Sequence, residues 1–312
     1  MHAFHTILFV SDVLADDVDV LEQALCIANA NNAELNALIV CPGLPKELAK
    51  YKHGFEASLI QRLAEALQAA RATTHVDETA VPVAIQVEVG SMPAERIVRH
   101  VLKHADDLLI KRAESDAGSR GIKAVDMELL RKCPCPVWLG RPVRTGWRTM
   151  KVAVAIDPQC HEPEGRDLAQ RLLQVSRALA DRCDGELHII SCWDYPYENS
   201  LQNSPWISMP EHEVHQAVMN IFHRHRTALD RAIAESGIGG TLRVHHVRGS
   251  PDRMIPAFVK EEGIDILVMG TVARTGIPGF ILGNTAENIV QSLSCSLLAL
   301  KPHGFVSPVR AY

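Results

Sequence analysis

One pattern is written twice along these 312 residues, and that repeat constrains the fold more than any single motif. The first copy opens with a β-rich run, His5–Val10, followed by Ser11 and Asp12; the second opens with Met150–Ile156, followed by Asp157. An amphipathic helical stretch comes next in each, about 16–31 and about 165–183. A second apolar run follows, Glu34–Val40 and Glu186–Cys192, and then longer helical stretches near 46–72 and 211–236. The clearest match is VEVGSMP at Val87–Pro93 against VHHVRGSP at Val244–Pro251. In each, a strand ends at Gly and a Ser stands where it can cap the next helix. A Pro sits in the first turn, where its missing N–H removes no helical bond. Helices near 92–104 and 251–262 lead to the strands Asp107–Ile110 and Asp265–Val268. Finally, Cys135–Leu139 mirrors Cys295–Ala299.

Each half therefore reads βαβαβαβαβ. That alternation predicts an α/β fold of two Rossmann-like domains, each a five-stranded, mostly parallel sheet with helices on both faces. The domains are expected at 1–140 and 150–312, joined by a linker at 141–149. Ligands of such sheets sit beyond the carboxyl ends of the strands, where strand order reverses. If the first and fourth strands are neighbours there, Asp157 and Gly270 face one crevice.

The second half carries a glycine-rich stretch at that place. The apolar run Ile264–Met269 is followed by glycines at 270, 276, 279 and 283, and then by a helix predicted over Asn284–Ser294. Such a loop can wrap a phosphate: glycine lets backbone N–H groups approach, and the helix end adds free donors and a partial positive charge. A competing reading is purely structural. Asn284 and Glu287 have capping-box spacing, and Gly276, Pro278 and Gly279 can serve as turn residues. The first half lacks the loop: Arg112 stands at the position of Gly270, the position of Gly283 falls near Lys123, and the segment is two residues shorter. No phosphate cradle is expected there, and Asp12 reads as a turn or cap residue.

Both halves resemble the universal stress protein family, most closely its tandem, two-domain E type. The resemblance rests on Met269–Val272 and Gly283–Asn288 in the second half. In the first it rests on Asp126–Pro134 followed by Pro136 and Val137. Nucleotide-binding members carry G-x2-G-x9-G followed by Ser or Thr. Here Gly270 and Gly283 match the first and third glycines, Ala273 stands at the second, and Asn284 then Thr285 follow. The resemblance implies an adenine nucleotide alpha hydrolase-like fold holding ATP or a related nucleotide, with Mg. Asp157 would approach the adenine or ribose, Ala155 would line the base pocket, and Met269 and Gly270 would approach the ribose. Gly283, Asn284 and Thr285 would hold phosphates. Arg274, inside the loop, is suited by its own chemistry to a charge-assisted contact. The resemblance also implies an intramolecular pseudo-dimer in which the last strands, about 136–140 and 296–301, meet.

Other classes find less support. A formal charge of −5 argues against a broad grip on nucleic acid. The N-terminus shows no signal-peptide pattern, and no apolar run approaches a membrane span, so a cytoplasmic protein without a membrane partner is expected. The eight cysteines form no CxxC pair or regular framework, which suits buried reduced thiols. No G-x-S-x-G elbow or Walker lysine is present. Of the 15 histidines, His212 and His215 have a helical spacing compatible with a metal, but a solvated histidine-rich surface is the default expectation. His245 and His246, adjacent in a strand, should point to opposite faces. The segment Trp193–Met209 holds two of four tryptophans and two of four tyrosines, which could cover a ligand or pack over their own domain.

The leading expectation is a stress-response protein whose second half binds an adenine nucleotide as a sensor or regulatory module, altering its contacts with protein partners. Alternatives are a weak nucleotide hydrolase using Asp157 and the glycine-rich loop, with slow and incidental turnover, and a carrier of an apolar or lipid-like small molecule in the second-half crevice, covered by the 193–209 segment.

Overall fold

The computed structural model describes residues 4–11, 16–114, 124–143, 147–160, 162–183, 185–198, 200, 210–271 and 282–311. Ten strands lie among them. They are β1 (Thr6–Ser11), β2 (Glu34–Cys41), β3 (Val83–Val89), β4 (Leu108–Arg112) and β5 (Val137–Gly140), then β6 (Val152–Ala155), β7 (Glu186–Trp193), β8 (Thr241–Arg248), β9 (Ile266–Gly270) and β10 (Ser296–Leu300). The helices are α1 (Val18–Asn31), α2 (Lys52–Thr74), α3 (Pro93–His104) and α4 (Ala124–Lys132), then α5 (Pro163–Ala180), α6 (Glu211–Ser236), α7 (Pro251–Glu262) and α8 (Asn284–Ser292).

The strands form one sheet in the order β3-β2-β1-β4-β5-β10-β9-β6-β7-β8. Within each half every pairing is parallel, as strand–helix alternation requires. The halves do not remain two separate five-stranded sheets. β5 and β10 pair antiparallel, with Leu298 opposite Trp138, so each closes an edge that the other half would leave open. Arg141 N–H donates to Ser296 Oγ at 2.9 Å, and Arg131 pairs with Glu287 at 2.9 Å across the same seam. The fully buried Trp138 ring donates through Nε1 to Gln23 Oε1 at 3.0 Å.

Side-chain alternation explains why both faces are covered. In β1, Ile7 and Phe9 join a core with α1 and α2, while Leu8 and Val10 face α3 and α4. β9 repeats this: Ile266 and Val268 share one core with α5, and Leu267 and Met269 share the other with α7 and α8. The result is three layers, helix on sheet on helix, with apolar strands buried on both sides.

Three local expectations are corrected. Ser91 does not cap α3; the residue before it is Met92, at φ 60, in the left-handed region. Ser250 does precede α7, but its hydroxyl is taken by the Asp252 carboxylate and makes no cap bond to the backbone. The Asn284–Glu287 capping box does not form: α8 begins at Asn284 with Gly283 in the cap position, and Glu287 reaches Arg131 instead.

The histidines also depart from a solvated surface. His212 and His215 are exposed, but His188 and His225 are buried. His245 and His246 do point to opposite faces: Nδ1 of His188 lies 3.2 Å from Nε2 of His245, and Nδ1 of His225 lies 2.9 Å from Nε2 of His246. Desolvation holds all four imidazoles below their ordinary value, and burial next to His246 pushes His225 down to about 4. An unfolded histidine titrates near 6.5. Below that pH the unfolded chain gains protons that folded His225 does not accept. Stability is therefore full above about pH 6.5 and falls as pH drops toward about 4. At pH 5 His225 alone should remove about 2 kcal/mol relative to pH 7.5, lowering Tm by ~3 °C for a chain of this length. Thermal melts of the protein and of His225→Leu at both pH values check this; equal pH slopes would show that His225 does not set the loss.

Candidate functional site

The topology places the reversal of strand order in the second half between β6 and β9, which are neighbours with Ala155 opposite Met269. A cavity of about 600 Å³ opens beyond their carboxyl ends. Its size lies within the range of about 300–1,000 Å³ usual for small-molecule sites. Ala155, Asp157, Met269, Gly270, Gly283, Asn284 and Thr285 all line it. Seven of the eight residues singled out from the sequence thus share one cavity; Arg274 lies outside the described residues, as does Ala273.

The two ends of the cavity differ in chemistry. At one end α8 begins. Its cap residue Gly283 offers no side chain, so the first-turn N–H groups keep no side-chain acceptor. The base of the loop is tied at this end: Gly283 N–H donates to Thr271 O at 3.2 Å, and Thr271 N–H donates to Leu300 O at 3.2 Å. At the other end Asp157 follows β6, its Oδ1 accepting the Gln159 N–H at 3.1 Å. Glu162 and Glu164 line the cavity as well. Three carboxylates oppose a bare polyphosphate, whereas a Mg-bound one is partly neutralised. A neighbouring opening of about 720 Å³ shares Asp157, Cys160 and Ala169 with the cavity and is walled by Arg166, Arg224 and Arg231.

Between the ends the wall is aliphatic: Leu168, Leu172, Ile190, Ile255 and Ile289. α5 supplies part of it, a helix expected from the sequence at about 165–183 but not assigned there to the site. The signal was present as Gly165, Leu168, Ala169 and Leu172, a helical stripe that reads equally well as ordinary core. Gly270 matters to the same wall, because a Cβ there would stand 2.9 Å from Leu168 Cδ2. Cys192, also in the lining, is kept neutral by burial, which raises its thiol to about 11. Trp193 is committed elsewhere: it packs edge-on to Phe222 and stacks on His246, with Arg248 above its face. Tyr195 and Tyr197 pack edge-on to each other, and residues 199 and 201–209 of the segment lie outside the described residues.

The corresponding place in the first half is filled by the chain itself. Val10 pairs with Lys111 as Ala155 pairs with Met269, so a lysine stands where the second half has a cavity-lining methionine. Lys111 Nζ meets Asp126 Oδ1 at 3.0 Å, both side chains almost wholly buried, and Asp126 Oδ2 accepts the Glu114 N–H at 2.8 Å.

The model of the universal stress protein family matches residues 3–141 and 149–301. Universal stress protein E of Photorhabdus laumondii is 27% identical over 324 residues, covering 100% of this chain and 99% of the relative. Universal stress protein E of Escherichia coli K12 is 30% identical, covering 73% of this chain and 71% of its own length. Among solved structures, a protein of unknown function from Pseudomonas aeruginosa superposes with a TM-score of 0.70 at 25% identity, covering 96% of this chain and 94% of its own. Among the described residues no helix is long and apolar enough to cross a membrane.

Proposed function

The chain belongs to the universal stress protein family as a tandem, E-type member, and from that premise we propose that its second half binds an adenine nucleotide, ATP or a close relative. The observation that carries this reading is the convergence of seven sequence-singled residues on one cavity with an uncapped helix N-terminus at one end and Asp157 at the other. Phosphates would lie at the Asn284–Thr285 turn, where backbone donors and the helix dipole favour negative charge. The base would enter the aliphatic wall near Ala155 and Ile190, with Asp157 accepting from the ribose or the adenine amino group. Arg274 belongs to the same reading as a phosphate contact. Mg²⁺ would offset the three carboxylates. The role is that of a stress-response sensor or regulatory module acting on protein partners from the cytoplasm, and any turnover is slow and incidental.

Calorimetric titration of the full chain tests this. One ATP per chain is expected, with affinity rising when Mg²⁺ is present. Asp157→Ala should weaken binding about tenfold or more, since a charged hydrogen bond contributes about 1.5–3 kcal/mol. No heat and no retained nucleotide at millimolar ATP would overturn the reading.

The aliphatic wall favours a second reading, a carrier of an apolar small molecule. Mass spectrometry of freshly purified protein decides between them: a co-purified apolar compound displaced by no nucleotide supports the carrier.

A further inference from the structure

A second set of reactive groups, unused by the nucleotide reading, meets where the half-sheets join. Cys133 follows α4, Cys135 precedes β5, and the chain bends at Pro134 between them. Their sulfurs stand 3.5 Å apart. Cys133 is fully enclosed, while Cys135 keeps 8% exposure and lines a cavity of about 660 Å³ between the halves. Phe4, Val101 and Asp106 wall it on one side, Arg171 and Val175 on the other. Lys301, just past β10, is buried beside the pair. Its ammonium donates to the Cys133 carbonyl and lies 4.0 Å from the Phe305 ring centre. Among the described residues no carboxylate forms an ion pair with it.

A buried lysine without a carboxylate partner, set beside two thiols in sulfur–sulfur contact, is an arrangement for stabilising a thiolate. Burial raises the Cys133 thiol, but the hydrogen bond from Cys135 and the Lys301 ammonium together bring it below its ordinary value. The shared bond to Cys133, and burial, hold Cys135 well above. The pair therefore loses its first proton readily and its second reluctantly, leaving one proton between two sulfurs.

We propose that Cys133 and Cys135 form an oxidisable dithiol that reduces hydroperoxides at the junction of the two halves, with Cys135 meeting the peroxide and Cys133 closing the disulfide. Transfer of the shared proton to Cys133 places the thiolate on Cys135, the sulfur that faces the cavity. It attacks the terminal oxygen of a hydroperoxide: the S–O bond forms, the O–O bond breaks, and the departing alkoxide takes a proton from Lys301. Cys133 returns its proton to Lys301 and attacks the Cys135 sulfur. The S–S bond forms, the S–O bond breaks, and the departing hydroxide becomes water by taking a proton from solvent, which replaces the one the dithiol gave up to solvent when it ionised. Two thiols and one hydroperoxide become a disulfide, an alcohol and water, the two sulfurs giving up two electrons and the peroxide taking them.

The test uses the full chain and one molar equivalent of hydrogen peroxide, followed by alkylation under denaturing conditions and peptide mapping. The tryptic peptide beginning at Cys133 is expected to lose the mass of two hydrogens and escape alkylation, before Cys26, Cys160 or Cys183 reacts. Dithiothreitol should restore both alkylation sites. Cys133→Ser should instead accumulate a dimedone-reactive sulfenic acid at Cys135, and Lys301→Met should slow oxidation about tenfold. Should a variant fail to fold, the map of the unaltered protein decides alone. A peptide that stays doubly alkylated while other cysteines oxidise, or one that gains oxygen at Cys135 without forming the disulfide, overturns the proposal.

Discussion

Asp126→Ala is expected to destabilise the chain by about 3 kcal/mol, the largest effect foreseen for a single substitution outside the apolar core. Asp126 and Lys111 are 2% and 3% exposed at the side chain and 3.0 Å apart. Removing the carboxylate strands a buried ammonium and leaves the Glu114 N–H without its acceptor. A buried pair broken from one side typically loses about 3–5 kcal/mol. The lower figure applies because Glu114 Oε1, 4.0 Å from Lys111 Nζ, can take up part of the charge. Replacing both partners, as Lys111→Met with Asp126→Leu, should recover most of the loss, since neither charge then requires desolvation. Urea unfolding of the three proteins measures this. A loss below about 1 kcal/mol in Asp126→Ala would mean that water reaches the pair.

The pair also bears on why the halves differ. In the first half a carboxylate of α4 lies against a lysine at the end of β4. In the second half the matching strand ends in Met269 and Gly270, and the space beside them is open. One repeat thus holds an internal anion close to where the other would receive a ligand's phosphate.

The strands and the helix layers on both faces were legible because parallel strands buried on both sides leave apolar runs. That the first and fourth strands are neighbours entered only as a condition, which the pairing of β1 with β4 and of β6 with β9 meets. The helix over Glu211–Ser236 was read to its ends, since a 3.6-residue period persists over that length. The crevice was legible because Asp157 and Gly270 terminate strands, and strand ends meet at a topological switch point. What escaped was tertiary. The α5 wall carries an apolar stripe indistinguishable from core, and Ser91 and Ser250 had the right identity for caps whose bonds the backbone path and Asp252 redirected. The imidazole pairs His188–His245 and His225–His246 join residues far apart in sequence. Nothing local in an HH dipeptide announces that each ring will stack on a buried histidine from another element.

Gly283→Val should leave the fold intact and weaken ATP binding at least tenfold. Gly283 sits at φ −63 and ψ 140, a conformation open to any L-residue, so valine adds no backbone strain. The N–H that donates to Thr271 O survives the change. What changes is the space at the start of α8, where a branched side chain would stand among the donors proposed to meet phosphate. A tenfold loss corresponds to about 1.4 kcal/mol, modest for a displaced phosphate contact. Tm should fall by no more than ~5 °C, because Gly283 is buried and valine must displace neighbours at a cost of about 1–3 kcal/mol. The variant also separates the two readings of the cavity. An apolar ligand seated on Leu168, Leu172 and Ile255 has little business at the helix end, so its retention should persist in Gly283→Val while nucleotide binding falls. Unchanged ATP affinity in a folded Gly283→Val protein would remove the phosphate from the start of α8, and the nucleotide reading with it.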